Sequence, residues 1–301
     1  MIIVQVAGGL GNQLQQYALY RKFLSLGKDA RLDISWFDSI NQEKKIFAKR
    51  ELELAYFEQL DFEACTSSEK EKLIGKEGIL GKVQRKLLPG TVHLFRESQM
   101  YHPEIFQMED MYIIGYFACE KYYADILHDL RKTIHFPTSN NPENLKMAEI
   151  IQTCEAVSVH IRRGDYLDAQ NIALFGNICT EDYYQQAIGY IKEHCCNPHF
   201  FVFSDDVNYA QEHFDGDEYT VVDINCGRDS FYDMWLMSQC KHNICANSTF
   251  SFWGARLNPN EDKIMIRPTI HRNNQVFVKE EMEELWSGWT FVSPQGQLIN
   301  G

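Results

Sequence analysis

The spacing of apolar residues changes along the chain in a regular way. Residues 2–6, Ile-Ile-Val-Gln-Val, form a short run that reads as a buried strand. The glycine loop Ala7-Gly8-Gly9-Leu10-Gly11-Asn12 follows. Leu14, Tyr17, Ala18 and Leu24 then recur at helical spacing up to Gly27, which predicts a helix beginning near Asn12. Residues 30–34, Ala-Arg-Leu-Asp-Ile, read as the next strand, so the chain opens with a β-α-β unit. Residues 41–90 are charged, with helical patches and a stop at Leu87 to Gly90. Residues 111–117 read as a strand and 120–134 as an amphipathic helix.

Two prolines amid Ser, Thr and Asn mark residues 136–144 as a linker. Beyond it, strands are expected near 156–161, 199–203, 219–224, 242–246 and 263–267, with helical stretches at about 181–195, 229–240 and 249–257. Short apolar strands alternating with helices predict a parallel sheet covered on both faces. Residues 277–286 read as helical and the last ten as a turn and a loose end. The expected organisation is therefore an N-terminal α/β domain over 1–140, a second over 145–275, and a helix and tail over 276–301. In such sheets ligands sit at the carboxyl ends of strands, and two facing sheets make a cleft.

Composition narrows the functions. The chain of 301 residues carries a formal net charge of −13, which argues against general binding to nucleic acid or an anionic membrane. It leaves room for a small anion in a local basic pocket. At 45% hydrophobic and 13% aromatic the chain is globular rather than disordered. None of the nine cysteines forms a Cys-x-x-Cys pair, so neither a zinc site nor a disulfide scaffold is expected, and reduced thiols in a cytosol are the simplest account. With no basic leader at its start and no apolar run of about 18–20 residues, the expectation is a cytoplasmic protein, at most peripheral at the inner membrane face.

The candidate chemistry gathers where strands end. Val157, Val159 and Ile161 alternate with Ser158, His160 and Arg162, and Arg163, Gly164 and Asp165 form the turn beyond. A guanidinium is always charged, and its planar fork fits phosphate oxygens. Asp165 can hold one arginine while the other faces a diphosphate; a purely structural Arg–Asp network is the alternative. Gly8, Gly9 and Gly11 permit a sharp turn into a helix N-terminus, a cradle for phosphate or a plain turn. The same loop resembles the start of a dinucleotide fingerprint, with Asp33 about twenty residues on, but Leu14 stands where its third glycine belongs. Asn247, Ser248 and Thr249 are capping types before the helix that Phe250 continues, and Phe250, Phe252 and Trp253 read mostly as core. Ser204, Asp205 and Asp206 end another strand, where the carboxylate pair could bind ribose hydroxyls, act as a base or cap the next helix, and one of them is expected to cap. Asp229 and Asp233 lie four apart on a helix; a carboxylate there can accept the paired N–H groups along one edge of guanine, and solvated helix charges are the commoner explanation. Asp215-Gly216-Asp217, the one candidate for a metal-holding Asp-x-Asp, reads as an exposed turn. No metal site is expected.

Five blocks in order, Gly-Gly-Leu-Gly-Asn-Gln-Leu-Gln-Gln-Tyr-Ala, Gly-Tyr-Phe-Ala-Cys-Glu-Lys-Tyr-Tyr, Val-His-Ile-Arg-Arg-Gly-Asp-Tyr, Phe-Val-Phe-Ser-Asp-Asp and the segment 236–258, span nearly the whole chain. Together they resemble the bacterial α-1,2-fucosyltransferases of glycosyltransferase family 11. The resemblance implies a GT-B-like fold of two Rossmann-like domains, with mostly parallel sheets facing a cleft and the acceptor on the N-terminal side. It implies inverting transfer of fucose from GDP-β-L-fucose to the 2-hydroxyl of a terminal β-galactoside, with no metal and no cofactor besides the donor. Arg162, with His160 and Asp165, then stands at the reaction, Arg162 on the β-phosphate. Gly9, Gly11, Asn12, Arg163, Asp233, Asn247, Ser248, Thr249 and Phe250 are the implied donor-binding residues. The chain departs from the family pattern at Gln15, Phe117 to Cys119, Phe252 and Arg256, where aromatics or other residues are usual, and this bears on acceptor preference. An NAD-dependent oxidoreductase and a non-catalytic sugar-nucleotide or glycan-binding protein are the rival readings.

Overall fold

A computed structural model of the chain describes residues 1–40, 51–76, 92–169 and 171–300. Much of the charged stretch, with its stop at Leu87 to Gly90, lies outside the described residues. The chain divides into two compact units, Met1–Pro137 and Thr138–Gly301. Each is Rossmann-like and built on a parallel sheet, which matches the GT-B-like α/β class expected.

The first sheet has the order β2-β1-β4-β3, with β1 Ile2–Gln5, β2 Ala30–Asp33, β3 Leu94–Arg96 and β4 Met111–Ile114. Every pairing is parallel. The second has the order β10-β9-β8-β5-β6-β7, again parallel throughout. Its strands are β5 Glu155–Ile161, β6 Pro198–Ser204, β7 Tyr219–Val222, β8 His242–Ile244, β9 Met265–Pro268 and β10 Trp289–Val292.

The alternation in β5 explains its central place. Val157, Val159 and Ile161 pack one face against Tyr183, Ala187 and Ile191 of the helix Glu181–His194. Ala156, with Phe201 and Phe203 of β6, packs the other face against Leu236 and Met237. Burying each large apolar side chain is worth about 1.5–3 kcal/mol, so strand register is strongly specified.

Three elements differ from the sequence expectation. The strand read over 111–117 stops at Ile114, because Gly115 to Phe117 turn and bond to Glu97 instead. The helix read over 120–134 breaks into two 3-10 turns before the helix Leu127–Thr133. Tyr122 and Tyr123 are adjacent and both fully buried, and Tyr123 leaves the helical region at φ −144°. The C-terminal tail is not loose: after the helix Lys279–Leu285 it supplies β10, which pairs with β9, and Ile299 donates back to the Phe291 carbonyl.

Candidate functional site

In the second sheet the chain reverses its direction of strand addition once, between β5 and β8. In the first sheet strands are added on both sides of β1, with β2 on one side and β4 on the other. Ligands of open α/β sheets bind at the carboxyl ends of strands at such points. The four loops that leave these strands carry the glycine motif, the 115–118 turn, the paired arginines, and Asn247 to Thr249.

In the second unit, register decides the charge pattern. Ile161 of β5 lies opposite Ser204 of β6, so Arg162 and Arg163 continue opposite Asp205 and Asp206. Asp165 Oδ1 accepts from Arg162 Nε at 3.0 Å and Nη2 at 2.7 Å, and Arg162 Nη1 lies 3.1 Å from Asp205 Oδ2. Arg163 Nε donates to Asp206 at 3.0 Å, and its guanidinium lies 3.7 Å from the centre of the Tyr209 ring. Both arginines therefore carry a carboxylate, which corrects the expectation that Asp165 would hold one and leave the other open. Burial works against the charge on Arg162, but Asp205 and Asp165 hold its pKa above the ordinary guanidinium value. An arginine has five N–H donors, so two on Arg162 and four on Arg163 lie outside these contacts.

His160 is buried under this cluster, its ring centre 5.7 Å from that of Phe250, and its Nδ1 has no hydrogen-bond partner. Burial, with the charge of Arg162, lowers it to about 3, so it is neutral at physiological pH. Gly164 lies close against the clamp: a Cβ there would stand 2.6 Å from Asp205 Oδ2 and displace that carboxylate. Asp206 also caps the helix Val207–His213 by accepting from Tyr209 N, as expected for one of this pair.

The loop after β8 meets the same cluster. Tyr166 stacks on Phe175 and donates to the Asn247 carbonyl at 3.0 Å. The Asn247 side chain is 2% exposed, donates to the carbonyls of Phe175 and His271, and accepts from Cys179. Its amide is thus engaged in holding loops together. Ser248 caps the helix Thr249–Leu257, whose first N–H groups face the strand ends. Phe252 and Trp253 are core, as expected.

Asp233 stands elsewhere in the second unit, in the first turn of the helix Phe231–Gln239. It accepts from Asn225 at 2.7 Å, and Asn225 exchanges two amide bonds with Asn144. Burial raises it to about 7; the Asn225 bond opposes this and Asp223 adds to it. Asp229 belongs to a separate 3-10 turn, Gly227–Ser230. Asp215, Gly216 and Asp217 form an exposed turn.

In the first unit the helix begins at Leu10, earlier than expected, with Gly9 as its cap and Gly11 and Asn12 in its first turn. Gly8 takes φ +86°, and a Cβ there would meet Asn12 Nδ2 at 2.7 Å. Asp33, the acidic residue of the dinucleotide reading, is 2% exposed and bound to Tyr112, Lys70 and Ser35. It is not available to a ribose.

The amino-terminal ends of the central strands β5 and β8 hold a grouping that linear spacing hides. Glu155, Cys195 and His242 bring three potential metal-ligand atoms within 4.8 Å of one another. Ile264 N–H donates to His242 Nδ1 at 3.0 Å, however, so Nε2 carries the proton and faces Glu155 at 3.0 Å. Hydrogen bonding accounts for the grouping.

Residues 95–293 match the family described as "Glycosyl transferase family 11". The chain belongs to this family. Among curated family relatives it is similar to an α-1,2-colitosyltransferase of Escherichia coli, 30% identical over 89% of this chain and 91% of that one. It is also similar to the O-antigen biosynthesis glycosyltransferase WbnK of Escherichia coli, 32% identical over 87% and 92%. Galactoside α-(1,2)-fucosyltransferase 1 of Bos taurus matches a shorter stretch, 33% identical over 34% of this chain and 29% of that one. The solved structure of NodZ α-1,6-fucosyltransferase soaked with GDP-fucose shares 12% identity, with a TM-score of 0.47 over 86% of this chain and 92% of that one. Membership makes the protein a family 11 glycosyltransferase and sets the oxidoreductase reading aside. No described helix is long and apolar enough to cross a membrane.

Proposed function

We propose that this family 11 enzyme transfers L-fucose from GDP-β-L-fucose to the 2-hydroxyl of a terminal β-galactoside, with inversion and without a metal. The observation that carries the reading is Arg162 at the strand reversal, clamped by Asp165 and Asp205 with two N–H groups outside the clamp. A guanidinium fixed in this way stabilises charge as it grows on a departing phosphate without reorganising at that moment. The N-terminus of the helix Thr249–Leu257 adds its dipole. Asp165 and Asp205 both serve Arg162, and His160 is neutral. The acceptor proton therefore has no strong base among these groups, which suits a transition state with oxocarbenium character.

The test is product analysis. The protein is incubated with GDP-fucose and lactose in the presence of EDTA, and the linkage is read by NMR. An α-1,2-fucosyl product is expected, and Arg162→Ala should lower kcat by about 10²–10³. A colitosyl nucleotide is run beside the fucosyl donor, because a relative of similar length bears the name α-1,2-colitosyltransferase. Transfer from that donor alone, or transfer only with added metal, would overturn the corresponding part of the proposal.

A further inference from the structure

The turn after β4 is built around a strained residue. Phe117 takes φ +50°, a left-handed conformation that a bulky side chain resists. Its ring is nevertheless fully buried, edge-on to Tyr122 at 5.4 Å. Glu97, just beyond β3, holds the turn by accepting from Tyr116 N at 2.7 Å and from Phe117 N at 3.0 Å. Gln16 ties the turn to the glycine loop: its amide donates to the Gly115 carbonyl at 2.8 Å and accepts from Ala7 N at 2.9 Å. Gly115 admits no side chain, since a Cβ would lie 2.5 Å from Glu97 Cβ and 2.8 Å from Phe117 Cζ. The result is a reversed pair: Phe117 points into the core, and Tyr116 beside it is 42% exposed.

A backbone held against its preference marks a place where the surroundings over-determine the conformation, and such places cluster at functional sites. This one sits at the carboxyl end of β4, beside β1 in the sheet. The two loops that flank it, residues 6–9 and 115–119, contain no lysine or arginine. A diphosphate would find no cation in them, whereas a neutral hydroxylated ring needs none. A tyrosine offers such a ring a flat apolar face with a polar tip, at little cost in side-chain freedom.

We propose that Tyr116 determines acceptor specificity: its ring is the platform on which the C–H face of a terminal galactoside lies. The proposal rests on the transfer reading above and deepens it. Tyr116 makes and breaks no bond; it binds the sugar that receives the transfer.

The experiment compares Tyr116→Ala and Tyr116→Phe with the parent chain. Lactose binding is measured by saturation-transfer NMR, which needs no turnover, and acceptor KM and GDP Kd are measured in parallel. Tyr116→Ala should weaken lactose binding and raise acceptor KM by about tenfold, whereas Tyr116→Phe stays within about twofold. GDP Kd should be unchanged in both. Unaltered lactose binding in Tyr116→Ala, or a parallel rise in GDP Kd, overturns the proposal. If the parent binds lactose through Tyr116 but gives no product with GDP-fucose, the platform stands and the donor assignment fails. If the parent binds no galactoside, the platform falls whatever the donor result.

Discussion

Asp205 serves both arginines with one carboxylate: Oδ2 lies 3.1 Å from Arg162 Nη1, and Oδ1 accepts the backbone N–H of Arg163 at 2.8 Å. Together Arg162 and Arg163 carry two positive charges against three negative ones on Asp165, Asp205 and Asp206, a local sum of −1 from the ion pairs alone. The clamp thus gains position at the expense of attraction for a diphosphate. Replacing Asp205 by Asn should separate the two effects. Removing a like charge near a phosphate is worth on the order of 1–2 kcal/mol at a protein surface, so GDP should bind about five- to thirtyfold more tightly. Arg162 would at the same time lose one of its holders, and kcat should fall about tenfold. Titration calorimetry with GDP and steady-state rates check the two signs; a weaker GDP complex would mean that Asp205 matters only for positioning.

Gly164→Ala probes the same clamp from the backbone. The new Cβ would stand 2.6 Å from Asp205 Oδ2 and 3.2 Å from its Cγ, so the carboxylate must move. Side-chain movement is cheaper than backbone movement, and the cluster is partly open to solvent, so the cost in stability should be below about 1.5 kcal/mol. Activity should suffer more, with kcat down about tenfold or beyond as Arg162 loses its register. Thermal melting and initial rates on one preparation compare the two losses. A large fall in Tm with kcat intact would contradict the argument.

The sequence made the second unit more legible than the first. Alternation in Val157, Val159 and Ile161 announces a buried strand because both faces of β5 are packed. The arginines at its end stand out because charge at the end of a buried strand needs a partner. What could not be read was the partner: Arg162–Asp205 and Arg163–Asp206 follow from the register Ile161↔Ser204, a relation between residues 43 apart. The signal existed in the shared strand–polar turn form of the two motifs, but pairing is long-range. In the first unit β3 was missed because three residues, Leu94–Arg96, carry almost no periodicity. The turn at Phe117 was missed for another reason: an apolar residue at the end of an apolar run looks like more strand, and its φ is set by Glu97 from outside the segment. β10 was hidden because Trp289–Val292 is only four residues long and lies between a helix and a turn.

Asn247, expected among the donor contacts, has its side chain engaged in holding loops together. Its side chain donates to two carbonyls, Phe175 at 3.1 Å and His271 at 3.2 Å, and it is buried. Asn247→Ala would leave those carbonyls without their donor and should destabilise the protein by about 2–3 kcal/mol. Asn247→Asp keeps the shape but turns donors into acceptors facing carbonyls, and should cost at least as much. Urea denaturation measures both. Should either variant unfold like the parent while GDP Kd rises sharply, Asn247 is a ligand contact after all.

Asp233 supplies the clearest dependence on pH. Its folded value, raised to about 7 by burial, exceeds the ordinary 3.8. Between these values the folded protein keeps a proton that the unfolded chain has lost. The associated stability is therefore complete in acid and disappears as pH rises through about 7. On the order of 2–4 kcal/mol should be lost from this group between pH 4 and pH 8, and Asp233→Asn should remove that slope. Ligand binding should run the other way. A guanine edge presents two N–H donors, which only the ionised carboxylate accepts together. If Asp233 reads guanine, GDP affinity should rise about tenfold from pH 6 to pH 8, and binding near pH 6.5 should release a proton. Calorimetry in two buffers of different ionisation enthalpy detects that proton directly. Equal heats in both buffers, with an affinity that is flat in pH and the same in Asp233→Asn, would confine Asp233 to its bond with Asn225 and remove it from the donor site.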